Sequence, residues 1–256
     1  MKMKSVFVVL FAMCLISVMN VQGQIYFSTS FSEAEGYTNG PVMGQPAGSD
    51  AVWQDGASVP SELYAYIENE ALVMYQNGDD QDTWVFIEFP NQNSGVMTVT
   101  WDWQYVGPED SNIDVGVCIS DKFNFEFDGN PLLGWPEQSA MTRMQQDSAV
   151  IDARNGDWSG GGTYDAFEAF SYTDGVKIYM RCEIALDPAD QTYSVYAQKE
   201  GGDEVQLAEN FGFRREYIDG LNTVSIWVDG SAAETRTIID NIVISGPTPV
   251  TDWALY

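Results

Sequence analysis

The 256-residue chain contains no histidine, and this absence decides most of what it cannot do. Ser-His-Asp and Cys-His nucleophilic catalysis, histidine-ligated zinc and proton abstraction by imidazole all require the missing residue type. What remains for chemistry is carboxylates, tyrosines and a few basic side chains. The densest combination is Lys177, Tyr179, Arg181 and Glu183, whose two-residue spacing puts all four on one face of a strand. A tyrosine base beside a cation that neutralises a uronate carboxylate would be lyase chemistry. The plainer reading is a solvated strand face with alternating charges.

A second carboxylate stands where a strand would not choose one. In the run T-I-I-D-N-I-V-I-S from Thr237 to Ser245, Ile239, Ile242 and Ile244 break strict alternation around Asp240 and Asn241, within a stretch otherwise rich in β-branched residues. The expected reason is that Asp240 reaches back to the start of the mature chain, near Glu33 and Glu35. The two ends would then lie side by side and close a β-sandwich over a structural cation. The alternative is a simple bulge or turn at a sheet edge.

The elements that must position these groups are strands. The longest alternating run, Val96–Val106, has Met97, Val99, Trp101, Trp103 and Tyr105 on one side and Thr98, Thr100, Asp102 and Gln104 on the other. Trp101 and Trp103 are therefore core residues first. In Ile113–Ser120 the odd positions are apolar, which leaves Asp114 on the open side. Planar polar and aromatic groups on an open sheet suit sugar rings, which present apolar CH faces and many hydroxyls. The open faces thus nominate Asp102, Gln104, Asp114, Tyr179, Arg181 and Glu183 as carbohydrate-binding residues, with Tyr196 beside them.

Composition agrees with an all-β chain. Thirteen Tyr, 13 Phe and 8 Trp favour strands, and 23 Gly and 10 Pro supply turns. No sustained 3.6-residue pattern competes. Further strands are expected at 25–31, 63–67, 71–75, 83–89, 176–186, 192–198 and 204–210, with Gly201-Gly202 as a hairpin turn. The segment 121–174 is long and irregular, and a compact domain should supply it with strands, expected at 149–153 and 166–172.

The first residues have the form of a secretory leader: a basic start at Lys2 and Lys4, an apolar stretch from Val6 to about Val18 too short for a membrane span, and a cleavage site after Gly23. The expected organisation is a signal peptide at 1–23, one β-sandwich domain at 24–246 and a C-terminal linker or stub at 247–256. The net charge of −27 becomes −29 without a leader that holds two lysines and no acid. Such a surface repels phosphate backbones and anionic lipid, so no nucleic-acid partner and no membrane insertion after leader removal are expected. An acidic polysaccharide is a poorer partner than a neutral one, unless a local basic patch overrides the field. Cys118 and Cys182 are the two cysteines beyond the leader. Cys182 lies in phase with Val176, Ile178 and Met180, while Cys118 is out of phase with its apolar neighbours, so two unpaired thiols are favoured over a disulfide.

Four pieces in this order resemble the concanavalin A-like lectin/glucanase jelly rolls, in the broad laminin-G-like sense. They are Phe31, Glu35, Gly36, Tyr37 and Gly40 with Gly44-Gln45; V-x-I-x-x-x-x-x-I-x-L-D from Val176 to Asp187; T-Y-S-V-Y-A from Thr192; and I-D-N-I-V-I-S from Ile239. The resemblance implies two stacked antiparallel sheets, a concave face that often contacts carbohydrate, and a structural calcium where the first and last strands meet. Its ligands would be Glu35 and Asp240 with backbone carbonyls, and Glu33 as a substitute for Glu35. Glycosidases of this fold need an E-x-D-x-x-E strand with two carboxylates about 5–5.5 Å apart for retention. The nearest stretch, Glu183 to Asp187, lacks the middle acid, and the histidine of alginate-lyase relatives is missing. The expected role is a secreted carbohydrate-binding or adhesion domain with a polysaccharide or glycan partner. A polysaccharide-cleaving enzyme, more readily a lyase than a hydrolase, and a structural cell-surface protein are the alternatives.

Overall fold

A computed structural model describes residues 24–47, 51–55, 64–76, 83–107, 113–121, 138–145, 149–156, 162–187, 189, 191–215, 220–230 and 235–246. The expected leader and C-terminal stub lie outside these residues. The described elements are strands β1 Ile25–Thr29, β2 Gly40–Pro41, β3 Gln54–Asp55, β4 Ala65–Glu68, β5 Ala71–Gln76, β6 Thr83–Gln92, β7 Val96–Val106 and β8 Ile113–Ser120. They continue as β9 Gln138–Gln145, β10 Val150–Asn155, β11 Thr163–Ser171, β12 Lys177–Ala185, β13 Thr192–Lys199, β14 Val205–Gly212, β15 Leu221–Gly230 and β16 Thr235–Ser245. A single 3₁₀ turn, Glu33–Glu35, follows β1, and no α-helix occurs among the described residues.

The strands form two antiparallel sheets. One has nine strands, in the order β14-β13-β12-β7-β16-β5-β4-β2 with β1 also paired to β16; the other has seven, ordered β11-β10-β9-β8-β15-β6-β3. Alternation explains the stacking. Met97, Val99, Trp101 and Trp103 from β7 and Ile178, Met180, Cys182 and Ile184 from β12 join Val115, Val117 and Ile119 of β8 and Val224, Ile226 and Val228 of β15 in one buried core. This is the β-sandwich that the strand pattern predicts, in the jelly-roll form that the resemblance implies. The tryptophans at 101 and 103 are core residues, packed edge to face at 5.5 Å. The two thiols are free and buried, Cys182 in the core and Cys118 in a separate cluster outside it.

The broken alternation at Asp240 has a topological cause. Up to Ile239 one edge of β16 pairs with β5, where Ile239 faces Leu72; from Ile242 onward it pairs with β1, where Ile242 faces Thr29. The chain hands its edge from one neighbour to the other through a bulge between Asp240 and Val243, with Asn241 in the left-handed region at φ 51°. The two extremities of the described chain do share a sheet.

The segment after β8 was only partly readable. Strands β10 and β11 match the expectation, but β9 lies where none is expected. Its sequence Q-S-A-M-T-R-M-Q shows no alternation because both of its faces are largely buried.

Candidate functional site

On the outer face of the nine-stranded sheet, β7 and β12 pair in register so that Tyr179 faces Asp102, Arg181 faces Thr100 and Lys177 faces Gln104. Asp102, Gln104, Tyr179, Arg181 and Glu183 therefore share one surface. Asp114 does not: β8 belongs to the other sheet, between β15 and β9, and its open side looks out from the opposite face of the sandwich. Of the six nominated residues, five share this face and Asp114 lies on the other. Four of the five are tied to one another or to near neighbours, and Tyr179 is exposed. Arg181 is clamped between Glu183 and Glu204, which holds its guanidinium basicity up, and it stacks on Tyr196 with Cζ 3.8 Å from the ring centre. Lys177 reaches Asp102 at 3.3 Å and Gln104 donates to the Gly175 carbonyl at 2.6 Å. Exposed ion pairs of this kind stabilise little.

At the β5-to-β1 handover, Asp240 faces Asp102 across β16 and β7. Like charges directly opposite repel, and the Asn241 amide relieves this by donating to Asp102 Oδ2 at 2.7 Å and Asp240 Oδ2 at 3.1 Å. Burial raises the pKa of Asp240, Asp102 and Glu35 raise it further, and the Asn241 N–H and Lys177 oppose the shift. Beside the pair lies a groove of about 250 Å³ whose walls include Glu68, Glu70, Lys177 and Gln104. Glu35 sits just beyond β1, and its Oε2 accepts from Thr29, from the Ser30 backbone and hydroxyl, and from the Ser32 backbone. Slight burial works against its ionisation, but those donors hold its pKa below the usual value. The donors at this junction are oxygen, with no imidazole or thiolate, so the set fits a hard cation. Among the described residues no three acidic side chains converge as a cage, so backbone carbonyls would have to complete one.

The outer face of the seven-stranded sheet is built differently. In direct register across five strands run Trp84 of β6, Trp227 of β15, Gly116 of β8, Arg143 of β9 and Asp152 of β10. The Trp84 and Trp227 rings stack at 5.6 Å and 23°. With Phe86, Cys118 and Met141 they form a second buried apolar cluster, separate from the core, with Tyr164 packed at its side. Gly116 makes the arrangement possible, since a Cβ there would fall 2.1 Å from the Trp227 indole. Trp227 donates its indole N–H to Cys118 Sγ at 3.0 Å.

Next to the aromatics, Arg143 holds two carboxylates at once. Nε and Nη2 donate to Asp152 at 2.8 and 2.7 Å, and Nη1 donates to Asp114 at 2.5 Å. Burial works against its charge, but Asp152 and then Asp114 raise its basicity above normal. Its guanidinium lies 3.8 Å above the Tyr164 ring, Arg154 Cζ is 5.1 Å from the same ring, and Arg214 Nη1 donates to Tyr164 Oη at 3.1 Å. Burial pushes the Tyr164 phenol up to about 12, against the pull of Arg214 and Arg143.

Sequence reasoning missed this face, and two signals could have found it. In β6 both alternating sets are apolar, Trp84 and Phe86 on one side and Val85, Ile87 and Phe89 on the other, the mark of a strand covered on both faces. In β8, Gly116 interrupts the open side of a strand, the mark of a close approach.

No family model matches the chain, and no curated protein matches it. Solved structures do. The chain is similar to the catalytic domain of the glycoside hydrolase family 131 protein from Coprinopsis cinerea, at 12% identity and TM-score 0.56, over 91% of this chain and 100% of that one. It is similar to the endo-1,3-beta-glucanase from Streptomyces sioyaensis at 13% identity and TM-score 0.54, over 88% and 97%. It is also similar to the Emp47p carbohydrate recognition domain at 12% identity and TM-score 0.51, over 89% and 98%. At these identities the likeness is one of fold, a jelly roll of two stacked antiparallel sheets.

Proposed function

We propose that this jelly roll binds a glycan outside the cell, and that it does so on the outer face of the nine-stranded sheet. The observation that carries the reading is the solvent-open face of β12 and β7: Tyr179 is 38% exposed, Arg181 lies over Tyr196 with Cζ 3.8 Å from the ring centre, and Asp102, Gln104 and Lys177 line the groove beside them. Accessible aromatic rings beside fixed planar polar groups are what sugar rings require. The fold neighbours named for carbohydrate recognition or glycan cleavage support a sugar ligand, and the leader-like start supports secretion. Cleavage is the weaker reading, because Glu183 and Glu204 accept from Arg181 and Asp102 accepts from Lys177 and Asn241, and a general acid must be able to hold and release a proton.

The test is a panel of insoluble polysaccharides, followed for retention of the protein and for release of reducing or unsaturated ends. Retention without release is expected, with the pair Tyr179→Ala, Arg181→Ala weakening it about tenfold or more and Trp84→Leu leaving it unchanged. Loss through Trp84→Leu alone would move the site to the seven-stranded sheet, and release of new chain ends would make the protein an enzyme. We also propose a structural calcium at the strand handover, held by Glu35, Asp240 and carbonyl oxygens. A chelator should lower the melting temperature, since an ion that binds only the native state stabilises it, and Asp240→Ala should abolish that sensitivity. An unchanged melting temperature in chelator removes the ion.

A further inference from the structure

Two cavities open on the outer face of the nine-stranded sheet, and they stand at opposite ends of one strand. β12 carries Lys177, Tyr179, Arg181, Glu183 and Ala185 on its open side, in alternation with the buried Ile178, Met180, Cys182 and Ile184. At its start lies the groove of about 250 Å³ beside Asp240, where the polar Asp102, Gln104 and Lys177 meet the apolar Val73 and Ile238. Ile238 stands between Gln104 and Val73 in register, so three strands contribute to one hollow. At the end of β12 a second cavity of about 130 Å³ is lined by Val96, Glu183, Ala185, Thr192, Ser194 and Asn210. A bulge borders it: the pairing of β13 with β14 slips between Tyr193 and Val195, Asn210 takes the left-handed conformation at φ 53°, and its backbone N–H donates to Ser194 Oγ at 3.1 Å.

Strand pairing fixes how far apart the two hollows are. Lys177 faces Gln104 at one end of the β12–β7 ladder and Ala185 faces Val96 at the other. At about 3.3 Å per residue those ends stand about 26 Å apart, a span well beyond a disaccharide. Between them the face is open and partly aromatic: Tyr179 is exposed, and the Arg181 guanidinium is held over Tyr196 by Glu183 and Glu204. Both hollows are smaller than the roughly 300–1,000 Å³ of a pocket that encloses a small ligand, so neither buries one by itself. A chain that reaches both turns the second contact into an intramolecular one, and its affinity rises steeply with length. Charge narrows the ligand further. Glu68, Glu70, Asp102 and Asp240 stand against Lys177 in the first hollow, and Glu183 lines the second. The local field has the sign of the whole chain, whose net charge is −27, and it repels a polyanion along the track.

We infer that the glycan taken up on this face is a linear, uncharged chain held across several consecutive units, running from the Asp102 and Lys177 groove over Tyr179 and Arg181 to the Glu183 and Ser194 cavity. This rests on the glycan-binding reading above and names the class and extent of its ligand.

The experiment is calorimetric titration of the protein with cello-, laminari-, manno- and xylo-oligosaccharides of two, four and six units, and with a galacturonic acid oligosaccharide of six. In at least one neutral series the six-unit member should bind one to one and at least tenfold more tightly than the two-unit member, and the galacturonate should not bind. Gln104→Ala in the first hollow and Thr192→Ala in the second should each weaken the six-unit probe about threefold or more, because one chain touches both. Near-ultraviolet circular dichroism and melting temperature confirm that each variant is folded, and the length dependence is read on the unaltered chain. Equal affinity for two and six units, two ligands bound per protein, an effect of one variant without the other, or a preference for the galacturonate overturns the inference and leaves the glycan reading intact. Retention on the insoluble panel with no six-unit probe bound does the same. Binding of no probe, together with no retention on the panel, removes both.

Discussion

The indole of Trp227 occupies the space that a side chain at Gly116 would need: a Cβ built on Gly116 falls 2.1 Å from Cε2 of the ring. The contact joins two central strands of the seven-stranded sheet and lets the ring lie against Trp84. Gly116→Ala should displace the indole, unstack the pair and cost about 1–3 kcal/mol through overpacking. Near-ultraviolet circular dichroism should lose its tryptophan signal and the melting temperature should drop by several degrees. A variant with unchanged spectrum and stability would show that the ring does not lie there.

The thiols give an independent check on which face each strand presents. Cys118 packs among Trp84, Met141 and Trp227, while Cys182 packs in the core between the sheets. Burial pushes the Cys118 thiol up to about 12 and raises Cys182 as well. Both should be inert to a disulfide reagent in the native protein and should react together once it is denatured. Rapid labelling of one thiol without unfolding would place that strand face in solvent.

At the handover of β16 from β5 to β1, Asn241 performs two tasks. It occupies the left-handed conformation at φ 51° and bridges Asp102 to Asp240. Asn tolerates that backbone better than most residues. Asn241→Ala should therefore cost about 1–3 kcal/mol from strain and from two carboxylates left facing each other. Asn241→Gly, which relieves the strain but not the repulsion, should recover part of the loss. Equal melting temperatures for all three proteins would show that the bulge bears no such load.

Sheet faces that alternate cleanly were legible from residue types alone. Val96–Val106 and Lys177–Ala185 put their odd and even residues where alternation requires, and the breach at Asp240 correctly marked the meeting of the chain ends. The seven-stranded sheet's outer face was not legible, for a physical reason. A strand buried on both sides carries no alternation, as in Gln138–Gln145, and the partners of Arg143 lie on strands whose order in the sheet cannot be read along the chain. Asp114 shows that limit: its phase puts it on the open side of its strand, but which sheet that strand joins could not be read, because phase is local and strand pairing is not.

The phenol of Tyr164 offers a pH test of the arginine cluster. Burial lifts its pKa to about 12 from the ordinary value of 10, even with Arg214 and Arg143 favouring the phenolate. The folded state then keeps its proton in a range where the unfolded chain has lost it. Stability tied to this group is therefore complete below pH 10 and is lost as pH rises from 10 toward 12, with a slope of at most about 1.4 kcal/mol per pH unit. Tyr193, fully buried with its hydroxyl on the Met141 and Arg154 carbonyls, is raised in the same sense, so Tyr164→Phe should flatten the alkaline fall in melting temperature without abolishing it. Absorbance titration of the phenolate band should show one fewer late-ionising tyrosine in the variant. If Tyr164→Phe instead leaves both the alkaline slope and the titration curve unchanged, the phenol is solvated, and the three arginines do not enclose it.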